Sequence, residues 1–156
     1  MAKVYFGLGS NKGDKAKNLQ TAVDKMKEKI GELVSLSSYY TTTPEDFPSD
    51  NMFLNAACCI ETDLSPFEVL QQTEKIESEM GRLLKSTNGV YEDRLIDIDI
   101  LIYDDIILHT ANLKIPHPLM IKRLFVLIPL NEIAPELFHP LYGLTISEIY
   151  NAFLKN

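Results

Sequence analysis

The sequence predicts an α+β domain: a ferredoxin-like antiparallel sheet with helices on one face, extended by an extra hairpin and C-terminal helices. Three observations carry that prediction. Apolar residues switch along the chain between a period of two and a period of 3.6, giving strand, helix, strand, strand, helix, strand. In the stretch Arg94 to Tyr103, Ile96, Ile98, Ile100 and Ile102 occupy alternate positions, as in a strand burying one face. Finally, Ser65-Pro66 with Glu68, and Thr145 with Glu148, have the spacing of capping boxes that open helices.

In order along the chain, residues 3–8 alternate, with Val4, Phe6 and Leu8 on one face and Lys3, Tyr5 and Gly7 on the other. Gly9-Ser10-Asn11-Lys12-Gly13-Asp14 turns out of this strand. Its glycines miss the dinucleotide spacing and no Gly-Lys-Ser/Thr follows, so it reads as a tight turn rather than a phosphate loop. Leu19, Ala22, Val23, Met26 and Ile30 recur at helical spacing, and Gly31 stops the helix. A second strand is expected from Leu33 to Thr42. A third, Met52 to Thr62, turns Met52, Leu54, Ala56, Cys58 and Ile60 inward and sets Phe53 and Asn55 on its opposite face. The second helix carries a stripe of Leu70, Thr73, Ile76, Glu77 and Met80 and ends near Gly81. After the isoleucine strand come a hairpin (Ile106–His109 with Leu113–Ile115), the turn Ile115-Pro116-His117-Pro118, and short helices. The last has the stripe Ile146, Ile149, Tyr150, Phe153 and Leu154.

The chain has 156 residues, 46% of them hydrophobic, enough for one sizeable core, and residues 1–156 read as a single domain. Neither a membrane-spanning apolar run nor a signal-peptide layout is present, so no membrane partner is expected. A net charge of −7 argues against a nucleic-acid surface, which needs a basic field. The only cysteines, Cys58 and Cys59, are adjacent in an apolar run and read as buried free thiols, which points to the cytoplasm.

The face opposite the isoleucines carries Leu95, Asp97, Asp99, Leu101 and Tyr103. Its two carboxylates project to one side, about 6–7 Å apart by strand rise. Like charges on a semi-apolar face are costly unless a cation sits between them, and magnesium is the usual one where oxygen ligands line a cleft. The alternative is a solvated outer face. The two longest loops, 43–51 and 82–95, border strands with polar residues on that face, and Arg94, His117, Lys122-Arg123 and Phe125 lie nearby in sequence. Carboxylates, arginines and aromatics together describe a site joining a polyphosphate to a flat ligand. A ligand-binding regulatory module of the same plan and a two-metal palm-type nucleotidyl enzyme remain open on the residues alone.

Several segments, in order, resemble one family: Gly7-Leu8-Gly9-Ser10-Asn11, Phe53-Leu54-Asn55-Ala56, Glu77 with Gly81-Arg82, Arg94-Leu95-Ile96-Asp97-Ile98-Asp99-Ile100-Leu101, Ile115-Pro116-His117-Pro118, and Arg123 to Leu130. That family is the 6-hydroxymethyl-7,8-dihydropterin pyrophosphokinases of folate biosynthesis. The resemblance implies a diphosphotransferase that moves pyrophosphate from ATP to the hydroxymethyl group of the reduced pterin and releases AMP. It implies ATP as co-substrate and two magnesium ions held by Asp97 and Asp99. By the same resemblance Arg82, Arg94, Asp97, Asp99 and Arg123 are catalytic. Leu70, Glu74, Lys85, Arg94, Ile100, His117 and Arg123 contact ATP. For the pterin it implies Thr42, Thr43, Glu45 and Asp97, with Phe53 and Phe125 as the sandwich and Asn55 on the ring edge. Neighbouring folate-pathway enzymes would be further partners.

Overall fold

β1 (Ala2–Ser10) is the strand around which the sheet is built, because it pairs antiparallel on both sides, with β4 (Phe53–Thr62) and with β5 (Asp97–Tyr103). This computed structural model describes residues 1–42, 52–81 and 95–155, so the expected loop 43–51 and residues 82–94 lie outside the described residues. β2 (Glu32–Leu36) pairs with the far side of β4, giving the order β2-β4-β1-β5, and β3 (Tyr40–Thr42) pairs with the start of β4. This is the ferredoxin-like order that the pattern of elements predicts.

α1 (Lys15–Lys29) and α2 (Pro66–Glu79) pack on one face of the sheet. Asp14 caps α1, its carboxylate accepting from Lys17 N–H at 3.2 Å, and both expected capping boxes form, at Ser65/Glu68 and Thr145/Glu148. Leu19, Ala22, Val23 and Met26 of α1 and Val69 and Ile76 of α2 meet Val4, Phe6, Leu8, Cys58 and Ile60 in the larger core. Gly31 lets the end of α1 approach β4, since a Cβ there would lie 1.9 Å from the Glu61 carbonyl oxygen. The second face carries α3 (Leu124–Ile133) and α4 (Ile146–Leu154), whose Val126, Leu130 and Ile146 cover Ala57, Leu101 and Ile102. β6 (Leu108–His109) and β7 (Lys114–Ile115) form the expected hairpin in shortened form. Among the described residues no helix is long and apolar enough to cross a membrane.

Four expectations change. The strand foreseen from Leu33 to Thr42 is two strands. At the break, buried Ser37 accepts from Ala57 N–H through its hydroxyl (2.9 Å) and donates to the Ser38 carbonyl (2.7 Å). A side chain that takes over backbone partners in this way interrupts the ladder. Met52 is exposed rather than inward, since the β3–β4 ladder ends at Thr42↔Phe53. Leu154 is exposed at the end of α4. Most consequential is a bulge in β5. The register steps from Phe6↔Ile100 to Tyr5↔Ile102, skipping Leu101. An extra residue on one strand reverses the alternation beyond it. Ile96, Ile98 and Ile100 therefore lie in the first core, whereas Leu101 and Ile102 join the second.

Candidate active site

On the second face, Gly7 and Gly9 of β1 alternate with Phe6 and Leu8, which point into the first core. The register sets Asp99, Gly7 and Ala57 in one row across the sheet, and Asp97, Gly9, Asn55 and Tyr40 in the next. The middle strand thus puts no side chain between the carboxylates of β5 and the amide of Asn55. The result is a trough one strand wide. A Cβ on Gly9 would lie 3.0 Å from Asn55 Oδ1 and 3.4 Å from the Phe53 ring. Asn55 is buried and its amide donates to Thr42 Oγ1, which fixes the side chain at the edge of the trough.

Two devices hold the carboxylate strand. Glu77 of α2 is buried, and its Oε2 accepts from the backbone N–H of Ile98 at 2.8 Å, between Asp97 and Asp99. The place of Glu77 in an otherwise apolar stripe was the signal for this role. Just before β5, Leu95 packs between Gly13 (φ +72°) and Gly81 (φ +107°), where added Cβ atoms would come within 3.4 and 2.7 Å of its methyls. Left-handed backbone at both positions favours glycine, and at Gly81 a side chain would also evict Leu95.

His117 is placed by its backbone. Its N–H donates to the Leu101 carbonyl at 2.9 Å, and its Nδ1 accepts from Leu119 N–H at 3.1 Å. Burial, and then the charge of Arg123, press its pKa below the ordinary histidine value, against a smaller opposing pull from Asp97. The ring is therefore neutral at pH 7, and with Nδ1 accepting, its proton sits on Nε2. Arg123 occupies the N-cap position of α3 without a side-chain capping bond, and its guanidinium carbon lies 5.5 Å from the centroid of the Phe125 ring, within cation–π range.

Beside the trough, a cavity of about 290 Å³ is lined by the expected Leu70, Ile100 and His117, and also by Asp99. Asn112 and Lys114 of the hairpin line it too. Sequence reasoning missed those two; their closeness to the Pro-His-Pro turn was the available signal. Glu74 is exposed on α2, one turn beyond Leu70, and is not part of this lining. Thr43, Glu45, Arg82, Lys85 and Arg94 lie outside the described residues. Among the described residues no group of three or more His, Cys, Asp or Glu side chains is arranged to hold a metal. Two carboxylates suit magnesium, which characteristically takes one or two of them and completes its shell with water and substrate phosphates.

Fold and site define an α+β domain whose carboxylate-edged trough opens beside a ligand-sized cavity, a small-molecule site. The family model described as 7,8-dihydro-6-hydroxymethylpterin-pyrophosphokinase (HPPK) matches residues 5–135, and the chain belongs to that family. It is 44% identical over 143 residues to a 2-amino-4-hydroxy-6-hydroxymethyldihydropteridine pyrophosphokinase of Porphyromonas gingivalis, covering 90% of this chain and 95% of that one. To the protein of the same name from Aquifex aeolicus it is 40% identical over 148 residues, covering 95% and 90% of the two chains. A crystal structure of wild-type Plasmodium falciparum HPPK-DHPS with pteroate has the same fold, with a TM-score of 0.79 at 17% identity. That match covers 99% of this chain and 44% of the other, so the chain spans less than half of the two-part protein.

Proposed function

We propose that this chain transfers pyrophosphate from ATP to the hydroxymethyl group of 6-hydroxymethyl-7,8-dihydropterin, giving the pterin diphosphate and AMP in folate biosynthesis. The observation that carries the residue-level reading is the position of Asp99, which lines the cavity and also stands in the row opposite Gly7. A nucleotide in the cavity would thereby present its phosphates to the trough. The hydroxyl oxygen of the pterin attacks the β-phosphorus and gives up its proton to water, the bond from that phosphorus to the α–β bridging oxygen breaks, and AMP leaves with the bridging oxygen.

In this reading Leu70 and Ile100 pack on adenine, and the Nε2–H of His117 and the guanidinium of Arg123 donate to phosphate oxygens. Arg82, Lys85 and Arg94 add positive charge by family resemblance. Phe53 and Phe125 stack on the two faces of the pterin, and Asn55 with Thr42 reads its edge. Asp97 and Asp99 would hold two magnesium ions, which when bound neutralise phosphate charge and favour in-line displacement. Fixed donors aimed at developing charge account for most of the acceleration expected of such a site. The chain acts as a single domain over residues 1–156 and works in the cytoplasm, in keeping with its free, buried Cys58 and Cys59. Neighbouring folate-pathway enzymes are its natural partners, a reading supported by the fused HPPK-DHPS relative.

Incubation with magnesium-ATP and the reduced pterin, with nucleotide products separated chromatographically, tests the reaction. AMP is expected; ADP together with a monophosphorylated pterin refutes it.

A further inference from the structure

β3 is a weak element. It has three residues, pairs through Tyr40↔Asn55, Thr41↔Leu54 and Thr42↔Phe53, and is cut off from β2 by the break at Ser37. Yet it forms the rim of the trough, because Thr42 holds the Asn55 amide. A single carboxylate on the opposite wall fastens it. Glu132 of α3 accepts from Ser38 N–H through both oxygens (3.0 and 3.2 Å), from the Ser38 hydroxyl (3.2 Å) and from the Tyr40 hydroxyl (2.6 Å).

The same helix carries Phe125. Phe125 and Glu132 are seven residues apart, so they lie on one face of α3, separated by about 10 Å along its axis. One end of that face presents an aromatic ring near Arg123, and the other grips the strand whose pairing fixes Asn55 and Phe53. We infer that Glu132 is a positioning residue for the pterin: it sets the spacing between the α3 wall, with Phe125, and the β3–β4 wall, with Phe53 and Asn55. This rests on the pterin reading given above.

Sandwiching a flat ring requires faces held about 7 Å apart, two van der Waals separations of about 3.5 Å. Contact attraction falls steeply once a gap opens by even 1 Å. A short edge strand that could drift would lose that spacing, whereas three donors making four contacts with one ionised group give it a direction as well as a tether. The pKa pattern agrees. Glu132 is held below the ordinary carboxylate value, first by the Tyr40 hydroxyl, and Tyr40 is raised, first by the same bond. The carboxylate therefore stays ionised across the neutral range. The nucleotide cavity is lined by α2, β5 and the hairpin, away from this clamp.

The test uses the full chain and its Glu132→Ala, Glu132→Gln and Tyr40→Phe variants. Calorimetry measures 6-hydroxymethylpterin binding in the presence of a non-hydrolysable ATP analogue, and binding of the analogue alone. The alanine variant is expected to weaken pterin binding threefold or more, with nucleotide affinity unchanged within twofold. Glutamine should recover most of the loss, since its amide oxygen still accepts from Ser38 N–H and its amino group can donate to the Tyr40 oxygen. Tyr40→Phe removes one donor while keeping the ring, and reads the clamp even where the alanine variant fails to fold; a smaller loss confined to pterin is expected. Pterin affinity altered less than threefold in Glu132→Ala, or equal losses for both ligands in step with a fall in Tm, overturns the inference. Wild-type chain that takes up nucleotide but no pterin overturns the functional reading itself, and the inference with it.

Discussion

Gly9→Ala isolates the geometry of the trough. Gly9 has no left-handed backbone to preserve, so alanine fits the strand, and removing glycine from a strand recovers roughly 0.5–1 kcal/mol. Against this stands one contact: the new methyl would meet Asn55 Oδ1 at 3.0 Å, so the Asn55 side chain must yield by a few tenths of an ångström. That movement strains its bond to Thr42, worth about 1 kcal/mol net. The two effects nearly cancel, and Tm should move by no more than a few degrees. Ligand binding has no such compensation. An edge group of the pterin left without its hydrogen bond costs about 1–3 kcal/mol, or roughly 5- to 150-fold in affinity. Gly7→Ala is the comparison, since the atoms nearest its methyl would be those of the Leu101 side chain, at 3.6–3.9 Å, an ordinary contact. Calorimetry with 6-hydroxymethylpterin on the nucleotide-analogue complex should show the larger loss for Gly9→Ala. Equal losses in the two variants, or unchanged pterin affinity in Gly9→Ala, would refute the assignment of this face.

Other outcomes follow from the same geometry. Asp97→Asn and Asp99→Asn should each raise the barrier by several kcal/mol, as loss of charge stabilisation at a phosphoryl-transfer site does; near-normal kcat in either would make the pair a solvated face. Phe125→Ala should weaken pterin binding by about 0.5–1.5 kcal/mol beyond area loss while leaving the ATP analogue untouched, and equal losses in calorimetry would point to a disturbed core. Stability should fall as pH drops below about 6.5, the unfolded histidine value. Burial holds both His117 and His139 below that value in the folded chain. The unfolded chain then binds more protons, so stability is fully present above the unfolded value and is lost beneath it. His139→Gln should flatten a Tm-versus-pH profile between pH 7.5 and 5; an unchanged slope in that variant would show that His139 does not contribute. Glu132 and Glu68 are also held below the ordinary carboxylate range, so their contribution falls beneath this window.

What the sequence made legible was local. Capping boxes at Ser65 and Thr145 are spacing rules within four residues, and both formed. Alternation in β1 and β4 reports burial one residue at a time, so Phe53 and Asn55 fell on the face expected for them. Cross-strand properties did not show. Ser37 interrupts its strand because of a hydrogen bond to Ala57, twenty residues on. Glu132 reaches Ser38 and Tyr40 across more than ninety residues, and nothing near it in sequence distinguishes it from any helix-surface glutamate.

The β5 bulge carries this furthest, because the irregularity that breaks the expected stripe also helps to make the site. A strict alternation would have sent Ile102 beneath α1 and α2, and would have left the face beyond Asp99 to continue with Leu101 and Tyr103. Skipping one residue instead turns Leu101 and Ile102 together into the second core, where Met120, Val126 and Leu130 close over them. Leu101 then has no partner across β1, and its carbonyl accepts the backbone N–H of His117 at 2.9 Å. The turn after the hairpin is thereby tied to the strand two residues beyond Asp99, and His117 and Asp99 come to line one cavity. A regular strand would bury its isoleucines more evenly and would lack this attachment point. Bulges gather beside active sites because they re-aim a chain without adding an element. Here the bulge re-aims Ile102 to join Leu101 in a second core and joins an imidazole to the carboxylate strand.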